Sequence, residues 1–375
     1  MLPWLLVAAP FMLLSARPRL QRQASPSESM PALPGALDVV ESSVGGLHEV
    51  LLCESETKAE RIVVVIPGNP GLPGFYADFA KSLASDLTAD VAVVGLANHV
   101  SWPSVARMVD VEQAGRRPFI LRRLFGRRTS VPWRALHAVD SQVAHLSAAL
   151  APYSRRASTE GVPLVIIGHS IGAWFAMQLL ASSARADAAA PTPLFPSNTA
   201  ALLIFPFLQE NMNDSVYKTK HDMLLRLPWL IPIIARAAGL LRRAPAKFRR
   251  RALRSQVKGM DEKYVALVES GFLHVGAAQN MLHLARSEMR ALAGQYKVPA
   301  ELDSVVQAGR VRALYIDRGD EWAPLTAEEQ MRAQGVRTSV RSADVVSHSF
   351  SCNASDTRVV AAWVAETMRE IDAEQ

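Results

Sequence analysis

The chain has 375 residues, 49% of them hydrophobic, and a formal net charge of +6. This is enough apolar material for a full buried core, which excludes an intrinsically disordered chain and allows one large domain or two small ones. Cys53 and Cys352 are the only cysteines, so neither a disulfide framework nor a structural zinc site is indicated, and no metal or cofactor is expected. The cationic surplus is concentrated in residues 107–134 and 226–258.

The chain opens on the apolar run MLPWLLVAAPFMLLSA, followed by RPRLQRQ and a Ser/Pro-rich spacer. The run is short for a bilayer span. Two readings stay open for it: a secretory signal cut near Ser15 or Ala16, and a monotopic anchor with a basic clamp. Residues 1–35 are therefore set apart from the rest of the chain.

From about residue 36, ALDVVES and LHEVLLCES, separated by SVGG, predict an antiparallel hairpin. The run from Ile62 to Ile66 is too continuously β-branched for a half-solvated strand and predicts one buried on both faces. A helix over about Tyr76 to Asp86 leads to the strand DVAVVGLANH, and the amphipathic AVDSQVAHLSAALAPY leads to the strand PLVIIG. ALLIFPF, VRALYI and RTSVRS supply further strands, and RVVAAWVAETMREI supplies a closing helix. Strand and helix in alternation predict a mostly parallel sheet flanked by helices. The core is expected at 36–207 and 305–375. Residues 208–304 are too many for a connecting loop and predict a helical cap or lid.

GHSIGAW, directly behind PLVIIG, has the spacing G-x-S-x-G. It places Ser170 at the carboxyl end of a central strand, on a tight turn whose glycines admit close packing of strand and helix. A serine hydroxyl needs a base to take its proton, and the base needs an acid to fix its tautomer. The loop DRGDEWAP, after VRALYI, offers Asp320, with Asp317 as competitor; a loop tip reaches a histidine more easily than the last residue of a strand. SADVVSHSFS offers His348. His169, on the elbow itself, is expected to shape the turn. Oxyanion donors are expected from the N–H of Ile171 and from PGNPGLPG, in which Pro67 and Pro70 have no N–H and Gly68, Asn69 and Gly71 do; Asn69 is preferred. No phosphate-binding or dinucleotide fingerprint is present.

The segments VIPGNPGLPGFYADFAKSL, LANHVSW, LHAVDSQVAHL, IGHSIGAWFAMQLL, LLIFPFLQENMNDS, DEWAP and HSF, in this order, resemble the lipid droplet-associated hydrolases of the α/β-hydrolase superfamily. The resemblance implies the α/β-hydrolase fold, Ser170 as nucleophile, Asp320 as acid and His348 as base, and a place on lipid droplets and the endoplasmic reticulum. It also implies hydrolysis of esters, with lipid acyl esters of the sterol ester or acylglycerol type as expected substrates. VYKTK after LQENMNDS, and the arginine-rich stretch at 107–134, depart from the family's pattern.

Within the expected cap, MLLRLPWLIPIIARAAGLLRRAPAKFRRRALRS sets an apolar stretch broken by Pro228 and Pro232 beside a basic run. Two prolines forbid one straight spanning helix. Leu227, Trp229, Ile231, Ile233, Arg242, Arg243 and Arg250 are expected to meet an anionic phospholipid or droplet surface. The alternative is a lid packed on the catalytic core with its arginines solvated. Nucleic acid is not expected as a partner, because no stacking platform or recognition motif accompanies the basic run. A non-catalytic droplet-binding protein is the rival to the esterase.

Overall fold

The computed structural model describes residues 36–41, 46–101, 104, 136–187 and 194–374. The apolar start, residues 42–45 of the turn between the first two strands and the basic stretch at 107–134 lie outside the described residues.

Eight strands form one sheet in the order β1-β2-β4-β3-β5-β6-β7-β8. They are β1 (Ala36–Glu41), β2 (Leu47–Cys53), β3 (Arg61–Ile66), β4 (Ala89–Val94), β5 (Leu164–His169), β6 (Ala200–Ile204), β7 (Val311–Ile316) and β8 (Arg337–Arg341). β1 and β2 form the expected hairpin, with Ala36 opposite Leu52, and β2 runs antiparallel to β4. All later pairings are parallel. Ile62 to Ile66 are buried throughout, as are all residues of β5. A strand with neighbours on both edges and helices on both faces has no side left for water, which is why these segments read as unbroken apolar runs.

The crossover helices are α1 (Ala77–Asp86), entered through a 3₁₀ turn at Pro73–Tyr76, α2 (Val139–Glu160) and α3 (Ile171–Asp187). α2 runs past the expected end near Tyr153, straight through Pro152. The ring costs a backbone hydrogen bond. It is outweighed because Leu146, Leu150, Ser154 and Ala157 are buried along one continuous face, and because Gly161, at φ 67°, ends the helix by donating to the Ala157 carbonyl.

Between β6 and β7 lie α4 (Ser215–Arg226), α5 (Leu230–Leu241), α6 (Ala246–Leu253), α7 (Glu262–Leu267), a π-helical turn at Val268–Phe272, α8 (Val275–Ala291) and α9 (Asp303–Gln307). α10 (Leu325–Ala333) joins β7 to β8, and α11 (Ala354–Glu374) closes the chain against α1. Among the described residues no single helix is long and apolar enough to cross a membrane; α4 and α5 meet the length and composition only as a pair bent by 105°. This is an α/β-hydrolase fold. The carboxyl ends of β3, β5, β6 and β7 converge at one end of the sheet, where open α/β sheets place their ligands.

Candidate active site

Ser170 is the single residue between β5 and α3, held at φ 55°. A non-glycine residue in this left-handed region is strained by its Cβ and persists only where its surroundings force it. Here the surroundings are explicit. The Ser170 N–H donates to the Ile204 carbonyl at 3.0 Å, and its carbonyl accepts from Ala173 at 3.0 Å and Phe207 at 3.1 Å. A Cβ on Gly172 would stand 2.3 Å from the Ile66 carbonyl oxygen, and one on Gly168 would stand 2.5 Å from Ala173 Cα. The two glycines let α3 start directly over the end of β3, which pushes the Ser170 side chain out of the sheet.

Two acidic residues competed in sequence, and packing separates them. Asp317 Oδ1 accepts from the Ala343 N–H at 2.8 Å, so it secures the exit of β8. Asp320 Oδ2 lies 2.8 Å from His348 Nδ1, while its Oδ1 accepts from the N–H groups of Trp322 at 2.9 Å and Ala323 at 3.1 Å. The Asp320 side chain is only 2% exposed. Burial alone would raise its carboxyl, but His348 and the two N–H donors outweigh burial and hold it below the usual carboxylate range.

Ser170 and His348 open on one cavity of about 220 Å³, lined on its other sides by residues that include Phe75, Val257, Met260, Val268 and Phe272. The inserted segment between β6 and β7 therefore supplies much of the apolar wall.

The PGNPG loop forms the cavity's other edge. The Gly68 N–H is taken by the Tyr76 hydroxyl at 2.9 Å, and the Gly71 N–H by the Gly68 carbonyl at 2.6 Å. Of the three donors Gly68, Asn69 and Gly71, Asn69 alone keeps an N–H without a hydrogen bond among the described residues. Ile171, as the first residue of α3, has no intrahelical acceptor for its own N–H. Leu96 and His99 buttress this loop: His99 Nδ1 donates to the Pro70 carbonyl at 2.6 Å, and the Leu96 N–H to the Gly71 carbonyl at 3.2 Å.

The family model described as lipid-droplet associated hydrolase matches residues 59–351. The chain belongs to the lipid-droplet associated hydrolase family. It is 23% identical to a lipid droplet-associated hydrolase of Gallus gallus over 325 residues, covering 84% of this chain and 87% of that one. Over 127 residues it is 35% identical to the Drosophila melanogaster lipid droplet-associated hydrolase, covering 33% of this chain and 34% of the fly protein. A solved structure of a soluble variant of monoglyceride lipase from Saccharomyces cerevisiae, 13% identical, superposes with a TM-score of 0.52 over 94% of this chain and 99% of that one. That likeness supports the fold. Family and fold together make the protein a hydrolase.

Several side-chain contacts of the site were not legible in the sequence. Asn211, in the segment FPFLQENMNDS, donates from Nδ2 to the Glu321 carbonyl at 3.0 Å, and Trp322 packs its ring 5.2 Å from that of Phe207. Together they fix the loop that carries Asp320. The Asn69 side chain donates to the Met281 carbonyl at 3.0 Å and to Glu288 Oε1 at 3.2 Å, tying the PGNPG loop to α8.

Burial pushes the Glu288 carboxyl up to about 8, and the Asn69 amide lowers it only in part. The folded state thus binds the proton more tightly than the unfolded chain. Its contribution to stability is complete below the unfolded value near the usual carboxylate range and is lost as pH rises through about 8. Within that window the loss is roughly 1.4 kcal/mol per pH unit. Glu288→Gln cannot ionise and keeps an acceptor for Asn69. Its melting temperature is expected to fall less than that of the wild type between pH 6 and 9, as read by thermal denaturation; parallel curves would show that Glu288 does not titrate in this range.

The expected lipid-facing set is divided by the fold. Leu227, Trp229 and Ile233 are exposed, at 36%, 59% and 41%, and Arg243 is exposed as well. Ile231 corrects the expectation: it is buried against Leu224, Leu282 and Met289, because α5 turns that side toward α8. Arg250 is ion-paired with Glu262 and Glu269, and Arg242 is half-buried.

Proposed function

We propose that the protein is a serine hydrolase of carboxylic esters in lipids, of the sterol ester or acylglycerol type, working at lipid droplets through an acyl-enzyme. In this reading Ser170 Oγ attacks the ester carbonyl carbon and His348 takes the hydroxyl proton. Asp320 holds the His348 Nδ1–H and stabilises the imidazolium that forms. The N–H groups of Asn69 and Ile171 receive the oxyanion. His348 then gives its proton to the departing alkoxide, and water repeats the sequence to release the acid. The observation that carries the reading is a strained serine sharing one apolar-walled cavity with a histidine whose Nδ1 is held by a buried carboxylate. Droplet localisation is supported by the names of the relatives, which are called lipid droplet-associated hydrolases.

Labelling with a fluorophosphonate probe tests the chemistry. Wild type is expected to label, and Ser170→Ala and His348→Ala are not. A folded wild type that stays unlabelled, with or without lipid droplets, would favour a non-catalytic droplet-binding protein.

That second reading has its own supporting observation. Leu227, Trp229, Ile233, Leu240 and Phe248 are exposed apolar residues on and around α5 and α6, interspersed with the exposed cations Arg243, Lys247, Arg251 and Arg254. Such a face suits an anionic phospholipid monolayer, and catalysis and surface binding are compatible. Replacing Trp229 with Ala and Ile233 with Ser together is expected to weaken binding to anionic vesicles on the order of tenfold or more, with labelling in solution unchanged. Sedimentation with vesicles at low and high salt is the measurement; unchanged binding would remove this face from the interface.

A further inference from the structure

The elbow residue His169 faces away from solvent, and its two ring nitrogens have different partners. Nδ1 lies 2.6 Å from the Tyr76 hydroxyl and Nε2 lies 3.0 Å from the backbone carbonyl of His348. The Tyr76 hydroxyl also accepts from the Gly68 N–H at 2.9 Å. His169 and Tyr76 are both buried, with the rings of Phe205 and Phe350 against the imidazole.

These contacts admit one proton assignment. A backbone carbonyl only accepts, so Nε2 carries a proton and donates to His348. Burial, and next His348 nearby, hold the imidazole well below its usual titration range, so it is neutral and Nδ1 is bare. The Tyr76 hydroxyl therefore donates to Nδ1 while its lone pair takes the Gly68 N–H. Burial raises the phenol, so it keeps the proton this arrangement needs. The resulting chain runs from the Gly68 N–H through the Tyr76 hydroxyl and His169 to the His348 carbonyl. It joins the loop carrying the Asn69 N–H to the loop carrying the His348 ring, and it runs through the residue that precedes Ser170.

The structure assigns His169 and Tyr76 as positioning residues that set the oxyanion loop and the His348 loop in one register around Ser170. The assignment rests on the proposed roles of Ser170 and His348. Both residues also line the cavity beside Ser170, but their polar atoms are committed to each other and to the Gly68 and His348 backbone, so each acts through the backbone it holds. Displacing catalytic groups by an ångström costs on the order of a hundredfold in rate. An error of this kind lowers kcat, because the misplaced groups matter in the transition state, and leaves KM nearly unchanged.

The test is steady-state kinetics on a water-soluble short-chain ester, with fluorophosphonate labelling rates alongside. Tyr76→Phe and His169→Leu are expected to lower kcat about 10- to 100-fold, with KM within about twofold. His169→Gln, whose side-chain N–H can replace the donor to His348, is expected to recover most of that loss. Tyr296→Phe removes a buried hydroxyl that has no hydrogen-bond partner among the described residues and serves as the control, with kcat unchanged. Wild-type kcat in folded Tyr76→Phe and His169→Leu, or a rise in KM with kcat retained, would overturn the assignment. So would a His169→Gln variant no better than His169→Leu. If His169→Leu fails to fold, Tyr76→Phe still decides, since it removes only a hydroxyl. An inactive, unlabelled wild type would instead count against the serine hydrolase itself.

Discussion

Replacing Ser170 with alanine is expected to reduce hydrolysis of a short-chain ester by roughly ten-thousand-fold or more, with the melting temperature close to that of the wild type. The change removes one oxygen from a half-buried side chain and leaves the elbow's backbone bonds to Ile204, Ala173 and Phe207 intact. On the proposed mechanism, what is lost is the covalent route. Background hydrolysis would then depend on the Asn69 and Ile171 donors acting on a carbonyl attacked by water. Asp320→Asn is expected to approach the same loss for another reason. An amide presented to His348 Nδ1 favours the wrong tautomer, leaving Nε2 protonated and unable to accept from the serine. Asp317→Asn, by contrast, is expected to leave kcat nearly intact, because Asp317 Oδ1 accepts from the Ala343 N–H and a side-chain amide can do the same. Initial rates of the three purified variants decide the matter. Substantial activity in Ser170→Ala would refute the nucleophile, and an Asp317 variant weaker than the Asp320 variant would exchange the acids.

Gly172→Ala is the substitution expected to damage the fold most. The added methyl would meet the Ile66 oxygen at 2.3 Å and the Pro67 oxygen at 2.7 Å, both of them backbone atoms with no rotamer to change. α3 would have to lift from the end of β3, loosening the sheet's centre and the elbow together. The expected cost is on the order of 3–5 kcal/mol, a large fraction of a typical domain's stability. Gly161→Ala makes the comparison: that site has a φ of 67° and nothing within 4 Å of the added methyl. Its cost is only that of a left-handed backbone with a side chain, about 1–2 kcal/mol. Thermal or urea denaturation of both variants is expected to rank Gly172→Ala well below Gly161→Ala. Equal stability would mean that α3 can shift without loss, and that close approach is not what the elbow's second glycine provides.

Much of this protein was determined by the sequence alone, wherever the physical cause is local. A β-branched run such as Ile62 to Ile66 can only be satisfied between two strands and two layers of helices, so buried parallel strands follow from the composition of these few residues. G-H-S-I-G after such a strand is itself a description of a turn too tight for side chains at its glycines. The chain order of Ser170, Asp320 and His348 was legible for the same reason, because each lies just beyond a recognisable strand or just before a recognisable helix. Tertiary structure alone decided the questions in which two near-identical neighbours compete for one distant partner. Asp317 and Asp320 are three residues apart, and only the packing of β8 and of the His348 loop assigns one to Ala343 and the other to His348. Gly68 and Asn69 both have an N–H, and the Tyr76 hydroxyl takes the first. Ile231 and Ile233 read alike in a proline-broken apolar run, yet α8 covers one and leaves the other exposed. Glu288, 219 residues from Asn69, gave no local sign of its contact with that side chain. Periodicity and turn chemistry act over a few residues and are written in the chain, whereas the choice among equivalent donors, acids and faces depends on which surfaces the folded layers bring together.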